Sequence, residues 1–171
     1  TCTDTIISGV LSMTSIRASQ VFRDPVVFLA FGFGSGLAPR APGTAGTLAA
    51  VPLYLWFSQY SLPVYIGILV VLSVCGIWIC GAASSRLRVH DHPGIVWDEF
   101  AGYWLTMCAA SGSWLSIVLG FLLFRLFDIW KPWPIRVVDK RVSGGLGIML
   151  DDLLAAIPAA LLLYALLRVV E

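Results

Sequence analysis

Charge is scarce in this sequence. Only 12% of its 171 residues are Asp, Glu, Lys or Arg, about half the share found in an ordinary soluble domain. The net charge is +1, and no basic stripe runs along any segment, so the electrostatic footprint of a nucleic-acid partner is missing. The four cysteines, Cys2, Cys75, Cys80 and Cys108, form no C-x-x-C pair and no Cys/His zinc spacing. Three of them lie in apolar runs and read as small hydrophobes. The chain has neither the G-K-[ST] of a Walker A loop nor a nucleophile elbow. Cys80 and Arg86 have the C-x5-R spacing of cysteine-dependent phosphatases, but "CGAASSR" ends an apolar run instead of following a strand. The first twenty residues lack a basic start followed by a clean hydrophobic block, so no cleaved signal peptide is read. Residues 1–23 are expected to be a loosely held leader, and 24–171 one domain.

Apolar sequence is what the chain has instead: 58% of residues are hydrophobic and the mean hydropathy is +0.88. A soluble chain of this size cannot bury so much apolar surface, so the expected class is an all-α, polytopic transmembrane helical bundle. The apolar stretches are 26–37, 45–57, 64–83, 95–110, 113–130 and 146–170. A crossing needs about 20 residues. The first stretch is short and broken by glycines, which predicts a re-entrant or interfacial segment; the other five predict crossings. Lys and Arg fall in alternate connections, while "SQYSLP" (58–63) and "ASGSW" (110–114) carry no charge. The positive-inside rule therefore puts the basic connections in the cytoplasm.

The few acids are placed where they are expensive. Asp98 and Glu99 begin the 95–110 run, Asp128 lies near the end of 113–130, and Asp151 and Asp152 open the last. The alternating topology brings all five to one depth on the cytoplasmic side. Carboxylates gathered there repel one another unless a cation lies between them, either a bound ion or Arg125 and Lys131. Acids at helix starts also complement the helix dipole, but Asp128 is at the wrong end for that. Mg²⁺ favours carboxylates together with water and phosphate oxygens. Arg125 and Asp128, three apart, share a helix face; they form a simple ion pair or divide the holding of an anion and a metal.

"GFGSGLAPRAPGTAGT" (32–47) holds five glycines ahead of an expected helix start. Its amides around Gly34, Ser35 and Gly36, and around Thr44 and Gly46, could seat phosphate, or the stretch could be a packed turn. His90 and His92 flank Asp91 in a polar loop. His92 is a candidate for a supporting role near substrate, against the plainer reading of a loop just outside the membrane. In "DIWKPWPIR" (128–136) the tryptophans and bases suit a headgroup zone.

Four blocks, "GFGSGLAPRAPGTAGT", "VHDHPGIVWDEF", "FRLFDIWKPWPIR" and "GGLGIMLDDLLA", together closely resemble the phosphatidylglycerophosphatase A family of bacteria, from about residue 24 to the last helix. The resemblance implies a Mg²⁺-dependent phosphatase of the inner membrane, acting at its cytoplasmic face on the terminal phosphate of phosphatidylglycerophosphate. It puts the family's acidic motifs on Asp98, Glu99, Asp128, Asp151 and Asp152. These are the expected metal-holding and catalytic residues, with Arg125, Lys131, His92 and the glycine-rich amides on the substrate. An aspartyl-phosphate route stays open beside direct attack by water. Two other classes also use clustered acids: an ion or solute transporter, and a lipid headgroup phosphotransferase, whose D-G-x2-A-R signature is missing.

Overall fold

In the computed structural model, residues 18–89 and 92–170 are described, and among them every regular element is helical. The α-helices are α1 (Ala18–Arg23), α2 (Pro25–Ala30), α3 (Pro42–Phe57), α4 (Leu62–Leu87), α5 (Trp97–Thr106), α6 (Trp114–Trp130), α7 (Ile135–Arg141) and α8 (Gly144–Val170). Short 3-10 turns cover Gly32–Leu37 and Met107–Ala109. Among the described residues two helices, α4 and α8, are long and apolar enough to cross a membrane. With 26 and 27 residues, each spans about 40 Å at 1.5 Å per residue, more than the roughly 30 Å of bilayer hydrocarbon. Both turn large apolar side chains outward, Val70, Val74 and Trp78 on α4 and Ile157, Leu161 and Tyr164 on α8. On α6 the residues Val118, Leu122, Leu126 and Ile129 make a third outward stripe.

The sequence assigns the 95–110 run to a crossing, and the run does carry the chain from one end of the bundle to the other, yet α5 has only ten residues, about 15 Å of helix, and is not an outer helix facing lipid. It is instead the hub of the fold. Trp97, Phe100, Ala101, Gly102, Tyr103, Trp104 and Thr106 are all buried, because α3, α4, α6 and α8 pack around it. Small residues permit this closeness. A Cβ on Gly102 would meet the Phe124 ring at 2.6 Å and the Asp152 carbonyl at 3.0 Å, and Ala155, Ala156 and Ala159 of α8 have no exposed surface. Two of the buried polar tips find acceptors: Trp104 Nε1 donates to the Ala50 carbonyl at 3.1 Å, and the Tyr65 hydroxyl to the Trp104 carbonyl at 2.7 Å. Phe100, Tyr103 and Trp104 thus form an aromatic layer across the middle of the bundle.

The glycine-rich segment is a packed turn. Asp24 caps α2, its Oδ1 accepting from the Val26 and Val27 amides at 3.0 and 3.3 Å, and it also pairs with Arg86 at the end of α4. The chain then reverses through left-handed Gly32, Phe33 and Gly34. It leans on the α4–α5 connection, where the Val96 amide donates to the Ala30 carbonyl at 2.8 Å. A side chain at Gly36 would run into the Gly94 carbonyl. Of the expected leader, residues 1–17 lie outside the described residues; 18–23 form α1, whose Val21 is fully buried.

Candidate active site

The charged residues that the sequence scatters over five segments line one cavity of about 310 Å³ at the end of the bundle where α5 and α8 begin and α6 ends. Asp98 and Glu99 come from the first turn of α5, where the helix dipole favours carboxylates. Arg125 and Asp128 come from the last turns of α6, and Lys131 follows as its left-handed cap residue. Asp139 projects from α7, and Asp151 and Asp152 from α8. The last two do not open their helix as the sequence suggested: α8 starts at Gly144, so they sit two turns in, both buried. Glycines allow that early start. Gly145 packs its backbone against Ile77 and Gly81 of α4, and Gly147 against the Val142 carbonyl, with no room for a Cβ at either place.

The cations are held between acids. Arg125 Nη1 lies 2.7 Å from Asp128 Oδ2 and 3.3 Å from Glu99 Oε1, and 3.5 Å from the Thr47 hydroxyl. The Arg125–Asp128 pair offsets the unfavourable place of Asp128 at a helix C-terminus. Lys131 Nζ donates to Asp139 Oδ1 at 2.9 Å and to Asp151 Oδ2, tying α7 to α8. Burial alone would lower the Lys131 pKa; the bonded Asp151 and Asp139 carboxylates outweigh it and hold the ammonium above the ordinary lysine range.

Charge does not balance within the cavity. Six carboxyl groups (Asp98, Glu99, Asp128, Asp139, Asp151, Asp152) face two cations, Arg125 and Lys131. Among the described residues, Glu99 Oε2, Asp151 Oδ1 and Asp152 Oδ2 are buried without a hydrogen-bond partner. Orphaned buried carboxylate oxygens are costly. They are the donor type that a hard divalent cation takes, so the residues present fit Mg²⁺. As the side chains stand, no three acids, histidines or cysteines among the described residues form a ready ligand group; Arg125 and Lys131 engage several of the oxygens instead.

The glycine-rich stretch backs this cavity more than it lines it. Its lining residues are Ala41, Pro42 and Gly43, whereas Gly34, Ser35, Gly36, Thr44 and Gly46 are not among them. The Ser35 hydroxyl donates to the Gly32 carbonyl at 2.8 Å. Gly46 and Gly43, three apart at the start of α3, leave space for the Glu99 carboxylate: a Cβ on Gly46 would sit 2.7 Å from Glu99 Oε2, and one on Gly43 would overlap Oε1. His92 also lies off the cavity wall; its ring stacks on Phe31 at 5.5 Å and its Nδ1 accepts from the Gly94 amide at 3.0 Å. His90 and Asp91 lie outside the described residues. Asp139 and Gly43 line the cavity too, and the sequence does not single them out. A lone acid inside the basic run "IRVVDKR" and a G-x-x-G at a helix start were the available signals.

The family model for phosphatidylglycerophosphatase A matches residues 28–167. The chain is 46% identical over 144 residues to a phosphatidylglycerophosphatase A of Escherichia coli (strain K12), covering 82% of this chain and 83% of that protein. It is 42% identical over 144 residues to a phosphatidylglycerophosphatase A of Haemophilus influenzae, covering 83% and 88%. It is 34% identical over 147 residues to a Bacteroides thetaiotaomicron protein named provisionally as a phosphatidylinositol-3-phosphatase, covering 80% and 90%. No solved structure matches.

Proposed function

The chain belongs to the phosphatidylglycerophosphatase A family, and from that premise we propose that the acid-lined cavity is where it hydrolyses the terminal phosphate of phosphatidylglycerophosphate. The products are phosphatidylglycerol and inorganic phosphate. The observation that carries this reading is the cavity itself, with six carboxyl groups, two cations and three buried carboxylate oxygens without partners among the described residues.

Each group has a role that follows from its place. Arg125 and Lys131 reach into the cavity with guanidinium and ammonium N–H groups, and they take the phosphoryl oxygens on which negative charge spreads as the P–O bond loosens. Asp139 and Asp151 keep Lys131 charged for that purpose. Glu99, with Oε2 unengaged among the described residues, accepts the proton of the water that attacks phosphorus. The ester P–O bond breaks, and the glycerol oxygen leaves and takes a proton from solvent to become the hydroxyl of phosphatidylglycerol, while Glu99 returns its proton to solvent. Asp98, Glu99, Asp128, Asp151 and Asp152 would hold Mg²⁺, which when bound supplies Lewis-acid charge against the phosphoryl group. The acyl chains stay in lipid, so only the headgroup has to enter.

Location follows from charge. Arg86 and Arg88 at the end of α4 lie at the cavity's end of the bundle, as do Arg136 and Arg141 of α7. The positive-inside rule assigns that end to the cytoplasm, in a multi-pass inner-membrane protein in which α3, α4, α6 and α8 meet lipid around buried α5. A transporter is disfavoured because Phe100, Tyr103 and Trp104 fill the bundle between the acids and the small cavity beside Tyr54, Tyr65 and Cys108 at the other end. The test is phosphate release by purified protein across a lipid headgroup panel, with and without chelator. Absence of release from phosphatidylglycerophosphate would overturn the reading.

A further inference from the structure

Beside the acid cavity lies a second recess, of about 580 Å³, with the opposite charge. Lys131, Arg136 and Arg141 line it together with Trp130 and Trp133, and no acid does. Lys131 belongs to both recesses, so they adjoin across one side chain. Among the described residues neither Arg136 nor Arg141 pairs with a carboxylate, although Asp139 is on the same short helix and binds Lys131 instead. Ile135, buried in the main core, fixes α7 in place beneath them. Trp130 and Trp133 are 68% and 82% exposed, as amphipathic rings at headgroup level are. From the recess the outward apolar stripe Ile129, Leu126 and Leu122 runs along α6, a track for acyl chains.

We infer that this basic recess seats the internal phosphodiester of the lipid whose terminal phosphate enters the acid cavity, with Arg136 and Arg141 as specificity-determining residues. The inference rests on the proposed activity. The substrate has two phosphates joined by a three-carbon glycerol, and the molecule offers two adjoining recesses on either side of Lys131. Guanidinium groups suit the non-bridging oxygens of a phosphodiester. The acid cavity alone would repel a second phosphate, whereas the arginines give it a seat outside. Phosphatidic acid has a single phosphate, attached directly to its diacylglycerol, and cannot fill both recesses.

The test compares wild type with Arg136→Gln/Arg141→Gln and Arg136→Lys/Arg141→Lys in neutral detergent micelles, where no anionic lipid competes. For phosphatidylglycerophosphate the Gln pair is expected to raise KM about tenfold with kcat within about twofold, as the loss of binding shared by ground and transition states requires. The Lys pair recovers most of that loss. Phosphatidic acid, measured as substrate or as competitor, changes less than about twofold. Phosphatidylglycerol, which keeps the diester, inhibits the Gln pair about tenfold less well. An unchanged KM overturns the inference, and so does an equal loss with phosphatidic acid, which would show the arginines serving the lipid surface in general. Wild-type protein that releases no phosphate from phosphatidylglycerophosphate sinks the functional reading, and this inference with it; wild-type activity with unaffected variants sinks the inference alone.

Discussion

Gly43→Ala is the smallest change that tests the proposed geometry, since it adds one methyl group outside the acids themselves. The ideal Cβ would overlap Glu99 Oε1 and lie 2.9 Å from Arg125 Nη2. Backbone at the start of α3 cannot retreat, because Pro42 precedes it and Gly46 is pressed against Val96. The Glu99 carboxylate must therefore move by roughly 1.5–2 Å to reach an ordinary contact distance of 3.5–4 Å, and its 3.3 Å pairing with Arg125 goes with it. A displacement of about 1 Å in reacting groups can cost about 100-fold in rate, while overpacking of this kind costs about 1–3 kcal/mol in stability. The expected result is a kcat for phosphate release reduced about 30- to 100-fold in protein that still folds and elutes normally in detergent. Gly67→Ala on α4 is the matched control. Nothing lies within 4 Å of its Cβ, so it should leave activity unchanged and favour the helix by up to about 1 kcal/mol. A Gly43→Ala protein within threefold of the wild-type rate would refute the placement of Glu99 at the reacting phosphate.

Asp98→Asn and Asp151→Asn should each lower kcat about 100-fold or more with the fold retained; full Mg²⁺-dependent activity in either removes that residue from the site. Lys131→Gln should lose stability relative to wild type by a margin that is constant from neutral pH to just below the ordinary lysine value of about 10.4. The folded-state pKa is raised, so the bonds to Asp139 and Asp151 are fully present below the unfolded value and fade only as pH climbs through the folded one. Thermal unfolding at pH 7, 9 and 11 measures this, and a margin that shrinks between 7 and 9 contradicts it. Arg88→Cys should react with an impermeant thiol reagent only in inverted vesicles and Ser111→Cys only in right-side-out ones; the reverse pattern refutes the cytoplasmic assignment.

Much of the fold was legible because hydropathy and length are one-dimensional properties. Residues 64–83 and 146–170 have enough of both, and they lie within α4 and α8. That the 95–110 run crosses inside the bundle, away from lipid, is not legible, because hydropathy does not distinguish a side chain that meets lipid from one that meets protein; Trp104 and Phe100 look alike in either setting, and only packing shows that α5 is enclosed. The gathering of Asp98, Asp128 and Asp152 at one end of the bundle follows from alternating topology plus charge. The part played by glycine did not follow. A glycine can seat an anion or admit a neighbour, and the sequence looks the same in both cases: Gly43 and Gly46 admit Glu99, and Gly36 admits a carbonyl. Asp139 was hidden by its basic neighbours, since its partner Lys131 lies eight residues away across a proline-bounded turn.

The charge imbalance in the cavity leads to a test in which stability and activity must move in opposite directions. Asp152 is 3% exposed, and its Oδ2 has no partner among the described residues; five other carboxyl groups share its cavity with only two cations. Without a divalent ion the residue is a liability, because a buried unsatisfied charge opposes folding. Asp152→Asn keeps the shape and removes the charge, so in chelator the variant should melt a few degrees higher than wild type, as mutations that relieve a strained functional site do. Adding Mg²⁺ should raise the wild-type melting temperature, since a ligand at 100 times its Kd contributes about 2.7 kcal/mol to the folded state; the variant should gain much less. The order of stability therefore inverts with Mg²⁺, while the variant stays inactive throughout. If Asp152→Asn melts lower than wild type in chelator, the carboxylate is structural and the imbalance is relieved in some way other than by a metal. If Mg²⁺ shifts both proteins equally, the ion binds without Asp152. Only the inversion is what an acid cluster held ready for a divalent cation requires.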